Sequence, residues 1–185
     1  MLFVQGGGAG THDEWDDKLV ASLERELGDE YVVRYPRMPD EDDPTFAAWG
    51  PAVRRELAAL ADGAIVVGHS VGGTLLLQVL VDRPSPRALG GIVLIAAPFA
   101  GAGGWASEEL APPRDLGARL PQDVPVHVFH GLDDRTVPPP HAQLYARAVG
   151  QAQVHLLPGR DHQLNEDLSE VARVLERAGT AHGRA

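Results

Sequence analysis

Apolar residues along the chain fall into short continuous runs, separated by stretches in which they recur every three or four positions. The runs at 2–5, 31–35, 64–67, 91–96, 125–130 and 153–157 are rich in Val, Ile and Leu. Most are bounded by Gly or Pro, so they read as strands. Ile65-Val66-Val67 and Ile92-Val93-Leu94-Ile95 have no polar alternation, as expected of strands covered on both faces. In 15–27, Leu19, Leu23 and Leu27 recur at helical spacing, with Gly28 as the stop. Asp43 as N-cap and Pro44 at the first helical position open a helix over 44–61. Residues 71–81 are apolar almost all round, the mark of a buried helix. Helices over 140–149 and 166–178 complete the set, the last with Asn165 as its N-cap.

Strand and helix alternate over the whole chain. This predicts an α/β fold, a three-layer α/β/α sandwich on about six mainly parallel strands. Such sheets place ligands beyond the carboxyl ends of their strands, so the chemistry belongs in the loops that follow them. The insert at 99–122 is rich in Gly and Pro and has room for one or two short helices, not for a large cap. A length of 185 residues fits one domain over 1–178, with a flexible tail over 179–185.

The formal net charge is −10. Acidic clusters lie at Asp13–Asp17 and Asp40–Asp43, and both read as solvated loops and helix starts. No basic patch is present to neutralise phosphates, which argues against nucleic acid and against an anionic membrane surface. The longest apolar run, at 92–98, is far shorter than the roughly 20 residues a membrane span needs. The chain has no cysteine, which excludes a disulfide framework, a thiol nucleophile and a thiolate metal site. With no signal-like N-terminus, the expectation is a cytoplasmic protein. The oligomeric state is not legible in the sequence.

The sharpest motif is Gly68-His69-Ser70-Val71-Gly72, a G-x-S-x-G between a predicted strand and a predicted helix. That context marks a nucleophile elbow. The serine sits in a strained turn that projects its Oγ outward. Small residues two before and two after it let the strand and helix backbones approach, and Gly73 adds room. The helix start also sets the Val71 amide beside a developing oxyanion.

An elbow serine needs an acid and then a histidine later in the chain. After the run ending at His130 comes Gly131-Leu132-Asp133-Asp134-Arg135-Thr136-Val137-Pro138, and after the last run comes Gly159-Arg160-Asp161-His162. His162 is therefore the candidate base for Ser70, with Asp133, Asp134 or Asp161 holding its tautomer. The other histidines fit less well. His69 is held in the elbow and is not placed to act as a base on its neighbour. His127, His130 and His155 fall on strands and read as structural. His12 and His141 sit at loops or helix starts, and His182 lies near the end.

A second oxyanion donor belongs on the loop after the first strand, Gln5-Gly6-Gly7-Gly8-Ala9-Gly10. Its glycines let the backbone approach a substrate carbonyl. This loop lacks the full G-x-G-x-x-G spacing and no Gly-Lys-Ser/Thr follows, which argues against nucleotide binding. His12, Asp13, Asp16 and Asp17 show no metal-ligand spacing. No cofactor and no metal is expected.

These residues together resemble the α/β-hydrolase superfamily. More narrowly, the chain is similar to the small serine hydrolases grouped with retinoblastoma-binding protein nine and bacterial YdeN. The matching features are Val4-Gln5-Gly6, Trp15, Tyr35-Pro36-Arg37-Met38-Pro39, Trp49, the elbow, Gly91-Ile92-Val93-Leu94, Asp133-Asp134 with Val137-Pro138, and His162. Gln5-Gly6 stands where the family often has His-Gly or Pro-Gly, and Asp161-His162 where Gly-His is usual. The resemblance implies hydrolysis of a small carboxylic ester or thioester through an acyl-enzyme. The family pattern G-x-x-D-x-x-V-P selects Asp134 as the acid, with Asp133 left to bond turn amides. Aligning Gln5-Gly6 with His-Gly makes Gly7 the second oxyanion donor beside Val71, with Gly8 as the alternative. The expected partner is a small ester-like molecule. A silent hydrolase-like binding scaffold and an acyltransferase on the same residues are the rival readings.

Overall fold

The computed structural model describes residues 1–182. Five strands, β1 (Leu2–Val4), β2 (Ala64–His69), β3 (Leu89–Ile95), β4 (Val126–Gly131) and β5 (Ala152–Leu157), form one parallel sheet in the order β1-β2-β3-β4-β5. The helices are α1 (Asp16–Leu27), α2 (Phe46–Ala58), α3 (Ser70–Asp82), the single turn α4 (Leu116–Arg119), α5 (Pro140–Ala148) and α6 (Ser169–His182). This is the expected α/β sandwich without a large cap.

Alternate strand residues enter different cores. Leu2, Val4, Val66, Ile92, Leu94, Val126 and Val128 pack with Trp49, Val53 and Leu57 of α2, Leu75, Leu76, Val79 and Leu80 of α3 and Tyr145 of α5. Phe3, Ile65, Val67, Val93, Ile95 and Phe129 pack on the opposite face with Leu19 and Leu23 of α1 and Val171 and Leu175 of α6. Burial on both faces explains the continuous apolar runs of the central strands.

The expected strand over 31–35 is reduced to one bridge. Arg34 N–H donates to Met1 O, and Phe3 N–H to Arg34 O, both at 2.9 Å. Its neighbour β1 is only three residues long, so there is no further edge to pair with, and Val32 is 77% exposed. This bridge still fixes the topology. The chain leaves β1 outward to Arg34 and then returns past β1 to β2. The direction of winding thus reverses between β1 and β2, and a crevice opens beyond such a switch point. Both the Gln5–Gly8 loop and Ser70 lie there.

Two helix starts differ from expectation. Helix α2 begins two residues later than predicted, and its cap is Thr45, not Asp43. Thr45 Oγ1 accepts Ala48 N–H at 3.2 Å. Asn165 does not cap α6. It lies at φ 56° inside the short 3₁₀ turn Leu164–Glu166, and α6 starts at Ser169, whose N–H is held by Asp167 Oδ1 at 3.0 Å. The tail expected over 179–185 overlaps the end of α6, which runs to His182, while 183–185 lie outside the described residues. No helix among the described residues is long and apolar enough to cross a membrane.

Candidate active site

Ser70 follows β2 directly and opens α3 at φ +50°, in the left-handed region that side chains other than glycine rarely occupy. The flanking glycines make this turn possible. A Cβ on Gly72 would collide with the Gln5 carbonyl, and one on Gly68 would fall 2.5 Å from Gly73 Cα. The helix start is thereby pressed against the end of β1, and Ser70 projects above it.

The loop after β5 brings His162 to the serine. His162 Nε2 lies 3.1 Å from Ser70 Oγ, and Nδ1 lies 2.8 Å from Asp134 Oδ2. A carboxylate only accepts, so Nδ1 carries the proton and Nε2 turns its lone pair to Ser70. Arg160 anchors this loop to Asp167 and Glu170. Asp161 Oδ1 braces it by accepting Gln163 N–H at 3.0 Å and Asn165 N–H at 2.8 Å.

Asp134 follows β4 with its side chain fully buried. Its Oδ1 accepts the amides of Thr136 and Val137 at 2.8 and 2.9 Å. Its Oδ2 faces His162 and also His130 Nε2 at 3.1 Å. Burial alone would raise this carboxyl. The hydrogen bonds from His130, His162 and Val137 outweigh it and hold the group far below the usual carboxylate range. Asp133 is exposed and its own N–H donates to Arg160 O. The turn amides that the sequence assigned to Asp133 are held by Asp134 instead.

The Gly-rich loop runs alongside. A Cβ on Gly7 would meet Val71 Cγ1 at 2.9 Å and Pro44 Cγ at 2.6 Å, so the Gly7 backbone lies against the elbow. Among the described residues Gly7 N–H has no acceptor. Val71 N–H is a first-turn amide, which no helical carbonyl satisfies. Gly8 N–H is already taken by Glu41 O at 2.6 Å. Among the described residues no group of three or more His, Asp or Glu is placed to hold a metal ion.

The family model described as serine hydrolase matches residues 1–168. The chain belongs to the serine hydrolase family. A search of curated proteins finds no significant sequence match. Solved structures share the fold. The ydeN gene product of B. subtilis is 21% identical with a TM-score of 0.73, over 97% of both chains. A meta-cleavage product hydrolase from Pseudomonas fluorescens IP01 is 15% identical with a TM-score of 0.77, over 98% of this chain and 90% of that one. An esterase domain from a Rhodothermus marinus protein is 22% identical with a TM-score of 0.65, over 94% and 83%. The chain is thus an enzyme of serine hydrolase type on an α/β-hydrolase fold.

Three side chains around the serine hydrolase's site were not singled out by the sequence. His130, expected to be structural, donates from Nε2 to Val137 O at 2.8 Å and faces Asp134. Asp16, expected in a solvated acidic run, is fully buried. Glu41, from the other acidic run, clamps the Gly-rich loop: it accepts Gln5 Nε2 at 2.7 Å and Gly10 N–H at 3.0 Å. The signal available was position alone. His130 lies at the end of a predicted strand, where polar side chains have backbone to satisfy; Asp16 and Glu41 lie further along the loops that follow their strands and carry no such signal.

Proposed function

We propose that this serine hydrolase cleaves a small carboxylic ester or thioester through a Ser70–His162–Asp134 triad and a Ser70 acyl-enzyme. The observation that carries the reading is His162 bridging Ser70 Oγ and Asp134 Oδ2 at 3.1 and 2.8 Å. In this scheme His162 Nε2 takes the hydroxyl proton as Ser70 Oγ attacks the acyl carbon. The carbonyl oxygen becomes an oxyanion facing the Gly7 and Val71 amides. As the tetrahedral adduct collapses, the acyl–oxygen or acyl–sulfur bond breaks and His162 returns the proton to the leaving group. Water, deprotonated by the same nitrogen, then releases the acid and restores Ser70. Asp134 keeps the imidazole in the productive tautomer and stabilises its cation. The short insert at 99–122 favours short acyl groups, and the cysteine-free sequence fits a cytoplasmic setting. A panel of aryl esters graded in acyl length tests this. Turnover should be highest on the shortest acyl groups, and a folded enzyme that turns over none of them contradicts the proposal.

The histidine sets a pH expectation. Burial lowers the pKa of His162, and nearby His69 and His130 add to that, against the raising effect of Asp134; the net direction is down from its ordinary value. Since only the neutral ring accepts the serine proton, kcat/KM should fall on the acid side with a midpoint below about 6.5, the unperturbed histidine value. A pH profile of kcat/KM with its acid midpoint at or above that value contradicts this account of the base.

The oxyanion donors carry a geometric expectation. A structure with a phosphonate on Ser70 should place the phosphoryl oxygen about 2.7–3.1 Å from both the Gly7 and Val71 nitrogens. Contact with Val71 alone removes Gly7 from the assignment.

A further inference from the structure

Behind the Ser70–His162 contact lies a second carboxylate–imidazole pair that the proposed reaction does not use. Asp16, the first residue of α1, is fully buried. Its Oδ2 accepts Gly6 N–H at 2.7 Å and lies 2.9 Å from His69 Nδ1. The other ring nitrogen, His69 Nε2, donates to the backbone carbonyl of His162 at 3.1 Å. His69 is itself only 1% exposed. One buried pair therefore ties together the loop after β1, the elbow after β2 and the loop after β5.

We propose that Asp16 and His69 are positioning residues for catalysis, Asp16 setting the oxyanion loop through the Gly6 amide and His69 setting the imidazole of His162 through that residue's carbonyl. The proposal rests on the triad reading above. A requirement for core packing alone does not explain Asp16. Leu19, Leu23 and Leu27 supply the apolar face of the same helix, and a buried carboxylate is unfavourable there: only Oδ2 is hydrogen-bonded, while the buried Oδ1 has no hydrogen-bond partner among the described residues. The N–H it holds is on the Gln5–Gly6 peptide, one peptide before the unit that carries Gly7 N–H. A shift of the Gly6 backbone is passed on to the adjoining Gly7 N–H, and one misplaced oxyanion donor reduces turnover by about 10²–10³-fold. The carbonyl held by His69 belongs to the residue whose ring must stay within reach of Ser70 Oγ.

The pair also bears on the charge of the site. A carbonyl only accepts, so His69 Nε2 carries a proton. With Asp16 Oδ2 placed 2.9 Å away to accept from it, Nδ1 can carry a proton too, which makes the ring a cation. Burial opposes that cation, but the Asp16 carboxylate and the His162 carbonyl outweigh it and hold His69 above its ordinary value. The His69 and His162 rings are 5.0 Å apart. The groups acting on His162 are Asp134, His130 and His69, and those acting on His69 are Asp16, Asp134 and the His162 backbone. A cation at His69 disfavours a second at His162, and so keeps the base neutral to lower pH.

The rate of labelling by a fluorophosphonate, measured across pH, tests this without knowledge of the natural substrate. Wild type is compared with Asp16→Ala, Asp16→Asn and His69→Gln, each checked for folding by its thermal melt. Asp16→Asn keeps an acceptor for Gly6 N–H and can donate to His69 Nδ1, but removes the charge that holds His69 protonated. His69→Gln keeps an amide donor for the His162 carbonyl and removes the cation. Both should move the acid limb of labelling to higher pH by about one unit, and a purely structural role would not move it. Asp16→Ala should lower the plateau rate by about 10²-fold. The proposal is overturned if both acid limbs coincide with that of wild type, or if folded Asp16→Ala labels at the wild-type plateau. If Asp16→Ala does not fold, the two isosteric variants decide the matter. Failure of the triad reading looks different: wild type that does not label, or Ser70→Ala that does.

Discussion

Ser70→Ala should reduce ester turnover by about 10⁶-fold, the scale on which triad serines fall elsewhere. The change removes only a hydroxyl, and no carbon that packs the core is lost. It also removes the one atom within 3.1 Å of His162 Nε2 that can become the acyl carrier. What remains is the residual contribution of the oxyanion amides and substrate binding. The variant should stay folded, with a thermal midpoint close to that of wild type. The comparison is kcat/KM of both purified proteins on the same short-chain aryl ester. Turnover within tenfold of wild type would show that Ser70 is not the nucleophile.

Asp134→Asn should be the next most damaging change, at about 10⁴-fold in kcat. Asparagine can still accept the Thr136 and Val137 amides through Oδ1. Its Nδ2 then faces His162 Nδ1, where a donor meets a donor. The imidazole escapes the clash by moving its proton to Nε2, which leaves no lone pair for the serine hydroxyl. His130 Nε2 also meets Nδ2 where it met a carboxylate, so the carboxylate's replacement is poorly partnered on that side as well. Asp133→Asn should alter kcat by no more than a few fold, because that side chain is exposed. The two variants are measured on one substrate. If Asp133→Asn is the more damaged enzyme, the acid is assigned one residue too late.

The sheet was legible where burial on both faces leaves a continuous apolar run, as in Ile65–Val67 and Ile92–Ile95. It was misread at 31–35, where Tyr31, Val32 and Val33 have the composition of a strand. Strand formation needs a neighbour, and the length of β1 cannot be read from 31–35 itself. Helix starts erred for a related reason. Asp43 and Asn165 have good capping chemistry, but Thr45 and Asp167 occupy the positions where the chain actually turns.

Among the candidate site residues, the contact between Ser70 and His162 was legible because chain order and strand-end position restrict them. The choice of Asp134 from the adjacent aspartates came from the family pattern G-x-x-D-x-x-V-P that the resemblance implies. Asp16 was not legible. Its partner His69 is 53 positions away, and nothing in Asp13–Asp17 distinguishes the one carboxylate that turns inward. His130 was placed correctly on a strand but credited with no contact to Asp134, since the turn that brings Asp134 back to it is set by the Thr136 and Val137 amides.

The central claim is that Ser70 is an activated nucleophile, and mass spectrometry of the protein after fluorophosphonate treatment tests it most directly. The account predicts a single phosphonyl adduct, mapped to the peptide containing Ser70. Folded protein that carries no adduct, or an adduct on any other residue with Ser70 unmodified, would contradict it.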